Sequence, residues 1–366
     1  MEKIICTVTN DLTYDQRMIR ICRSLSRRGY EVVLVGRVRT ASRPLSKEPF
    51  RQIRLRCRWQ SGKLFYLEYN IRLFLWLSVQ RFDALCAVDL DTLLPAWLWC
   101  ALRRKPCIYD AHEYFTEVPE VVRRPIVQRV WEGLARTLIP RIQYAYTVGG
   151  ELARVFQARY GVPFEVIRNV PLPRPVPAVL PRPEPRILLY QGALNEGRGL
   201  EVAIAALPHL PGTTLWLAGE GDCSDALRQQ AATMGLSGRV RFWGYLTPDA
   251  LAELTPKASI GLNLLENKGL SYYFSLANKT FDYMQAGLPG LHMAFPEYKA
   301  LYKQHPGFVL LEQLTPEAIA GAVRPLLDDT AWYEKIQGAA LHAAEALHWG
   351  KEEEKLFRFY DAVFGH

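Results

Sequence analysis

The sequence predicts an α/β protein of two doubly wound, Rossmann-like domains, and three observations carry that prediction. At 366 residues the chain is too long for one ordinary core. From residue 3 onward, short apolar runs alternate with helical stretches, the pattern of βαβ units in a parallel sheet. Finally, Pro171–Pro185 holds seven prolines in fifteen residues, which no helix or central strand survives, so it reads as a stiff interdomain linker. The predicted domains are residues 1–170 and 186–349, facing a cleft, with a C-terminal helix over about 350–366.

Taken in order, Lys3–Val8 reads as a strand, Tyr14–Arg28 as a helix closed by Gly29, and Glu31–Val35 as the next strand. Asn10, Asp11 and Asp15 lie in the first turn, at strand ends where open parallel sheets bind ligands, or they simply make the turn. No GxGxxG occurs there, which argues against a nicotinamide fold. Arg37–Lys63 carries nine Lys or Arg against the single acid Glu48 and precedes Leu64–Gln80, which is almost wholly apolar. That pair reads either as a surface for an anionic bilayer or as a core helix behind a solvated basic loop. Asp83–Val88, Pro106–Asp110, Gln143–Val148 and Phe164–Val170 read as strands, with helices over Thr92–Arg103, Ile126–Leu138 and Glu151–Tyr160. His112 and Glu113 follow the Pro106–Asp110 strand, and a neutral imidazole there could bond a ligand hydroxyl or accept a proton. Glu113 or Glu117 could also cap the helix that follows.

After the linker, strands are expected at Arg186–Gln191, Thr214–Ala218, Val240–Trp243, Ile260–Leu265, Leu291–Ala294 and Phe308–Leu310. Helices are expected from Leu200, over Pro316–Leu327, from about Trp332, and over Lys351–Phe364. In GALNEGRGLE, Gly192, Gly197 and Gly199 let backbone approach a phosphate, and Arg198 adds a fixed planar charge.

Composition bounds the rest. Seven cysteines with no CxxC pair indicate neither a disulfide framework nor a zinc site, so no metal and no cofactor are expected. No signal segment and no run of about 18 uncharged apolar residues occurs, so a cytoplasmic protein is expected, at most at the inner face of the plasma membrane. Residues 1–160 carry 27 Lys and Arg against 15 Asp and Glu, whereas the remaining 206 carry 18 against 22. One basic half suggests an anionic partner; nucleic acid is not expected, because no recognised binding motif accompanies the charge.

The richest stretch is LLENKGLSYYFSLANKTFDYMQAGLP, Leu264–Pro289. A buried strand, a polar loop and a helix beginning near Ala277 make an anion-binding geometry. Lys279 and Asp282, three apart, share one side of that helix, as a phosphate cation and a ribose acceptor or as an ordinary surface ion pair.

NKTFDYMQAGLP resembles the donor-site motif of retaining glycosyltransferases of family 4, within the GT-B fold, and SYYFSLANK resembles a bacterial subgroup with Lys in this motif. Asp282 stands where Glu is commoner, Phe274 where a second Glu is usual, and Ala193 where an Arg is usual. The resemblance implies transfer from a UDP- or GDP-sugar, with retention, to a glycan or lipid-linked acceptor in bacterial polysaccharide assembly. It implies donor contacts from Gly192, Gly199, Tyr245, Ser271, Asn278 and Asp282, catalysis by Arg198, Lys279 and His112, and cleft-facing loop positions at Asn10, Asp11 and Glu113. A nucleotide-sugar 2-epimerase and a non-catalytic nucleotide-binding scaffold on the same fold remain as rival readings.

Overall fold

The computed structural model describes the chain except Tyr14, Ala41, residues 176–183 and Pro185. Most of the predicted linker, and the predicted helix start at Tyr14, therefore lie outside the described residues. The chain divides into two compact units, Met1–Asn169 with Glu352–His366, and Val170–Lys351.

Unit 1 runs β1 (Lys3–Thr7), α1 (Gln16–Arg28), β2 (Glu31–Arg37), β3 (Arg51–Leu55), α2 (Gly62–Ser78), β4 (Ala84–Val88), α3 (Leu93–Arg103) and β5 (Cys107–Ala111). It continues through α4 (Pro119–Val122), α5 (Pro125–Leu138), β6 (Tyr144–Thr147), α6 (Gly150–Tyr160) and β7 (Glu165–Val166). All seven strands are parallel, in the order β3-β2-β1-β4-β5-β6-β7. Asp15 accepts from the Met18 N–H and caps α1, and Gly29, in left-handed backbone, stops it.

Two expectations are corrected here. The Arg37–Lys63 stretch is not one loop but contains the edge strand β3, and the run predicted as strand over Phe164–Val170 keeps only two residues in the ladder. Neither Glu113 nor Glu117 caps a helix, since α4 and α5 start without a side-chain cap.

Unit 2 runs β8 (Ile187–Gln191), α7 (Leu200–Ala206), β9 (Thr214–Ala218), α8 (Ser224–Thr233), β10 (Val240–Gly244), α9 (Pro248–Leu254), β11 (Ile260–Asn263), α10 (Leu270–Tyr273) and α11 (Asn278–Gln285). Then come β12 (Gly290–Met293), α12 (Pro296–Gln304), β13 (Phe308–Leu311), α13 (Pro316–Asp328), α14 (Thr330–Ala346) and α15 (Trp349–Phe364). Its six parallel strands are ordered β10-β9-β8-β11-β12-β13. Strand β8 is buried throughout, as expected of a central parallel strand covered on both faces.

Most of α15 belongs to unit 1. Leu356 and Tyr360 are fully buried, the Phe359 ring meets Tyr146 edge-on at 5.0 Å, and the Glu352 carboxylate accepts the Arg168 N–H at 2.8 Å.

Candidate functional site

In unit 2 the C-terminal end of β8 meets the first turn of α11. Gly192 and Gly199 both have positive φ, and a Cβ at Gly199 would fall 2.2 Å from the Leu264 carbonyl oxygen, so only glycine fits. The Gly197 carbonyl accepts the Glu266 N–H at 2.9 Å, and Lys268 bonds Glu196 at 3.0 Å, tying the glycine loop to the loop ahead of α10.

Lys279 is buried, not on the surface as an ordinary ion pair would be. Its ammonium lies 3.7 Å from the centre of the Tyr190 ring and beside Gly192, whose backbone is exposed. Burial, reinforced by the charge of Arg198, holds its pKa well below the usual lysine value, while Asp282 pulls the other way. The Arg198 guanidinium lies over Tyr272 at 4.7 Å, and its Nε is buried with no hydrogen-bond partner. Two cations thus converge on exposed glycine backbone at a helix N-terminus, an arrangement that favours an anion.

Asp282 is half-buried and accepts from Gln191 Nε2 at 2.9 Å; Gln191 in turn accepts from Thr255 at 3.0 Å. Beneath the start of α11, the Tyr298 hydroxyl accepts from the Ala277 N–H at 3.0 Å and from Asn263 Nδ2 at 2.8 Å. His292 stacks on Tyr298, and burial holds it neutral, with a pKa of about 3. Ser271 is buried, Asn278 and Tyr245 are exposed, and the half-buried Phe274 packs its ring 5.1 Å from Tyr273. Gly192, Arg198, Lys279 and Asp282 are therefore brought together, along with Tyr190, Gln191, Tyr272 and Tyr298, which the motif reading missed. A tyrosine and a glutamine directly before Gly192 were the available signal for two of them.

In unit 1 the polar groups gather at the C-terminal ends of β1, β4 and β5. His112 Nε2 lies 3.0 Å from Asp110 Oδ2, and the other Asp110 oxygen pairs with Arg17 Nη2 at 3.0 Å. Arg17 also donates to the Ile167 carbonyl at 3.0 Å, so Arg17, Asp110 and His112 form one buried chain. On the far side of the ring, His112 Nδ1 lies 4.0 Å from Asp89 Oδ2, while Asp89 Oδ1 accepts the His112 N–H at 2.8 Å. Asp89 has φ 55 and ψ 171, a conformation that costs a non-glycine residue about 1–3 kcal/mol.

The neutral imidazole predicted for His112 is corrected by this geometry. Burial pushes its pKa down, but the Asp110 and Asp89 carboxylates outweigh burial and raise it to about 9, making it an imidazolium at neutral pH. Burial raises Asp89 well above the usual carboxyl value and Asp91 to about 7. Glu113 is exposed and bears on both through its charge. Asp11 accepts from Thr13 and Ser42 and pairs with Arg54 at 2.8 Å, and Asn10 donates to Asp15 at 3.2 Å, so this loop is braced by its own contacts.

Family comparisons divide at the same place as the units: Glycosyltransferase Family 4 matches residues 16–173, and Glycosyl transferases group 1 matches residues 185–329. The chain has the GT-B fold, and each of its halves matches a glycosyltransferase family model. The chain is 28% identical over 190 residues to the lipopolysaccharide core biosynthesis glycosyltransferase LpsD of Rhizobium meliloti, covering 50% of this chain and 53% of that one. It is 43% identical over 88 residues to the glycogen synthase of Mycobacterium tuberculosis, covering 23% of this chain and 21% of that one. It thus spans about a fifth of the length of glycogen synthase and about half that of LpsD. Sucrose-phosphate synthase of Thermosynechococcus elongatus shares the fold with a TM-score of 0.79 at 16% identity over 100% of both chains. HepE of Anabaena, solved in complex with UDP-glucose, superposes with a TM-score of 0.78 at 15% identity over 99% of this chain and 100% of that one.

Proposed function

We propose that this GT-B glycosyltransferase moves a sugar from a UDP- or GDP-sugar to a glycan or lipid-linked acceptor, with retention and without a metal, in bacterial cell-surface polysaccharide assembly. The carrying observation is the pair Lys279 and Arg198 beside the exposed Gly192 backbone. A diphosphate supplies a strong anion for this pair, and the same cations stabilise the charge that develops as it leaves. The bond from anomeric carbon to diphosphate breaks, the acceptor oxygen bonds that carbon on the same face, and the acceptor proton passes to the departing phosphate oxygen. This route needs no carboxylate nucleophile, which accords with Phe274 in the donor motif. Asp282, steadied by Gln191, is the acceptor for ribose hydroxyls. His112 is assigned to turnover, not to nucleotide binding. HepE with bound UDP-glucose and LpsD in lipopolysaccharide core synthesis support the donor and product classes.

The test is calorimetric titration with UDP-, GDP- and ADP-sugars, repeated on Lys279→Ala and Arg198→Ala, with product analysis in the presence and absence of acceptor glycans. One nucleotide class binds, and both variants lose most of that binding and of transfer. Normal donor binding by both variants refutes the site, and an isomerised donor formed without acceptor refutes the transferase.

A further inference from the structure

Helices α2, α3 and α5 of unit 1 pack side by side, with α3 touching both neighbours and the Phe74 and Trp99 rings meeting at 5.0 Å. Along α2, Phe65, Tyr69, Leu73 and Leu77 are buried. Leu67, Ile71 and Leu75 sit two positions out of phase, about 200° around the helix, and so on its opposite side. That side is apolar too, and together with Leu64 and Val79 these residues are 43–77% exposed. On α3, Leu94, Leu98 and Leu102 recur every four residues and are exposed, as are Ile126 and Val130 on α5. Nine of the sixteen exposed large hydrophobic residues among those described thus lie on these three adjoining helices, and a tenth, Val79, caps α2. Scattered surface leucines need no explanation, but a contiguous field of this kind marks an interaction surface.

The charges around it identify the partner. Lys63 is exposed on α2, Arg104 follows Leu102, and Arg123, Arg124 and Arg129 border the α5 residues, while the exposed Arg72 and Lys105 are paired with Glu68 and Asp83 at 2.8 and 2.9 Å. A second copy of the chain would set like charges against each other. We propose that this three-helix face seats the protein on an anionic lipid bilayer, the aliphatic side chains entering the interface while the basic rim meets the headgroups. Among the described residues no helix is long and apolar enough to cross a membrane, so the helices lie on the surface. Within Arg37–Lys63, Arg54 pairs with Asp11 and Arg37 lies 3.9 Å over the Phe65 ring, so those two cations are engaged within the unit, whereas Lys63 sits on α2. The inference deepens the reading of a lipid-linked acceptor, yet membrane binding itself requires no turnover.

The test is co-sedimentation of the full chain with phosphatidylcholine vesicles, with and without about one-third phosphatidylglycerol, at low and high salt. The wild type binds the anionic vesicles at least about tenfold more tightly than the neutral ones, and salt weakens that binding. Leu67→Glu with Leu75→Glu, and separately Leu98→Glu, reduce binding by about tenfold or more, whereas Met234→Glu in unit 2 leaves it unchanged. Thermal unfolding of each variant reports whether unit 1 stays folded and UDP titration whether the donor site persists, so failure here is distinguishable from failure of the donor assignment. No binding to either vesicle type, or full binding by the α2 and α3 variants, overturns the proposal. So does a wild-type dimer in sedimentation velocity that the double variant dissociates, since a second copy would then cover the face.

Discussion

Asp110→Asn tests the Arg17–Asp110–His112 chain most directly. His112 is raised from 6.5 to about 9, which corresponds to about 3 kcal/mol of preference for the imidazolium. Its ring is one-fifth exposed, so screening trims that figure only modestly. Replacing one carboxylate 3.0 Å away with a neutral amide should lower the imidazole pKa by about 1–3 pH units, with Asp89 left to hold the remainder. If the imidazolium is the working form, the variant's rate falls with rising pH through the new, lower pKa, while the wild type holds its rate until about pH 9. Stability moves with the same sign. A raised histidine pKa contributes stability in full below about 6.5, and that contribution is lost as pH climbs through about 9. The substitution also strands Arg17, which is 4% exposed, at a cost of about 3–5 kcal/mol. Arg17→Met with Asp110→Asn removes the stranded charge and recovers much of the melting temperature, and because the Arg17 charge pushes the imidazole pKa down, that pKa rises part of the way back. NMR titration of the ring, alongside a pH–rate profile, reads both effects. A ring still titrating near 9 in the single variant, with an unchanged profile, refutes the argument.

Other outcomes follow from the same coordinates. Because Lys279 is held well below its ordinary pKa in the empty site and a bound diphosphate would favour its charged form, UDP binding should take up a proton at pH values between the empty and the bound pKa, seen as a buffer-dependent calorimetric enthalpy and absent in Lys279→Met. Asp91 has its pKa raised to about 7 by burial, so its destabilising effect grows as pH rises through that value; Asp91→Asn should raise the melting temperature at about pH 8 more than at about pH 5. Gly199→Ala places a Cβ 2.2 Å from a backbone oxygen at φ +66, and should abolish UDP binding or cost more than about 2 kcal/mol in urea melts. Gln191→Leu should weaken UDP binding by about tenfold if its bond is what orients Asp282, whereas unchanged affinity would leave Gln191 a packing residue.

Both sheets were legible in the sequence because their central strands are continuous apolar runs between helical stretches. Strand β3 was not: RQIRL is a half-covered edge, and its arginines look like those of the surrounding loop. Helices α8, α9 and α12 also escaped notice, being short or weakly apolar. In the donor site, glycines and cations could be read from type and spacing. Tyr298 could not, because what distinguishes it is the atoms it meets, and Tyr190 and Gln191 were marked only by their place directly before Gly192. The charge of His112 was hidden for a related reason. It depends on Asp110 two residues back on the same face, and on Asp89, which reaches it through the pairing of β4 with β5.

The return of α15 to unit 1 reverses the usual order of events during synthesis. Domains generally fold as they emerge, amino-terminal first. Here residues 1–169 leave the ribosome with a gap where Leu356, Phe359 and Tyr360 belong, whereas unit 2 is one uninterrupted segment that can close as soon as it is made. The domain translated first is therefore the one finished last. A nascent chain shorn of its final fifteen residues would lose integrity in the half most distant from the cut along the sequence, leaving the donor half comparatively intact.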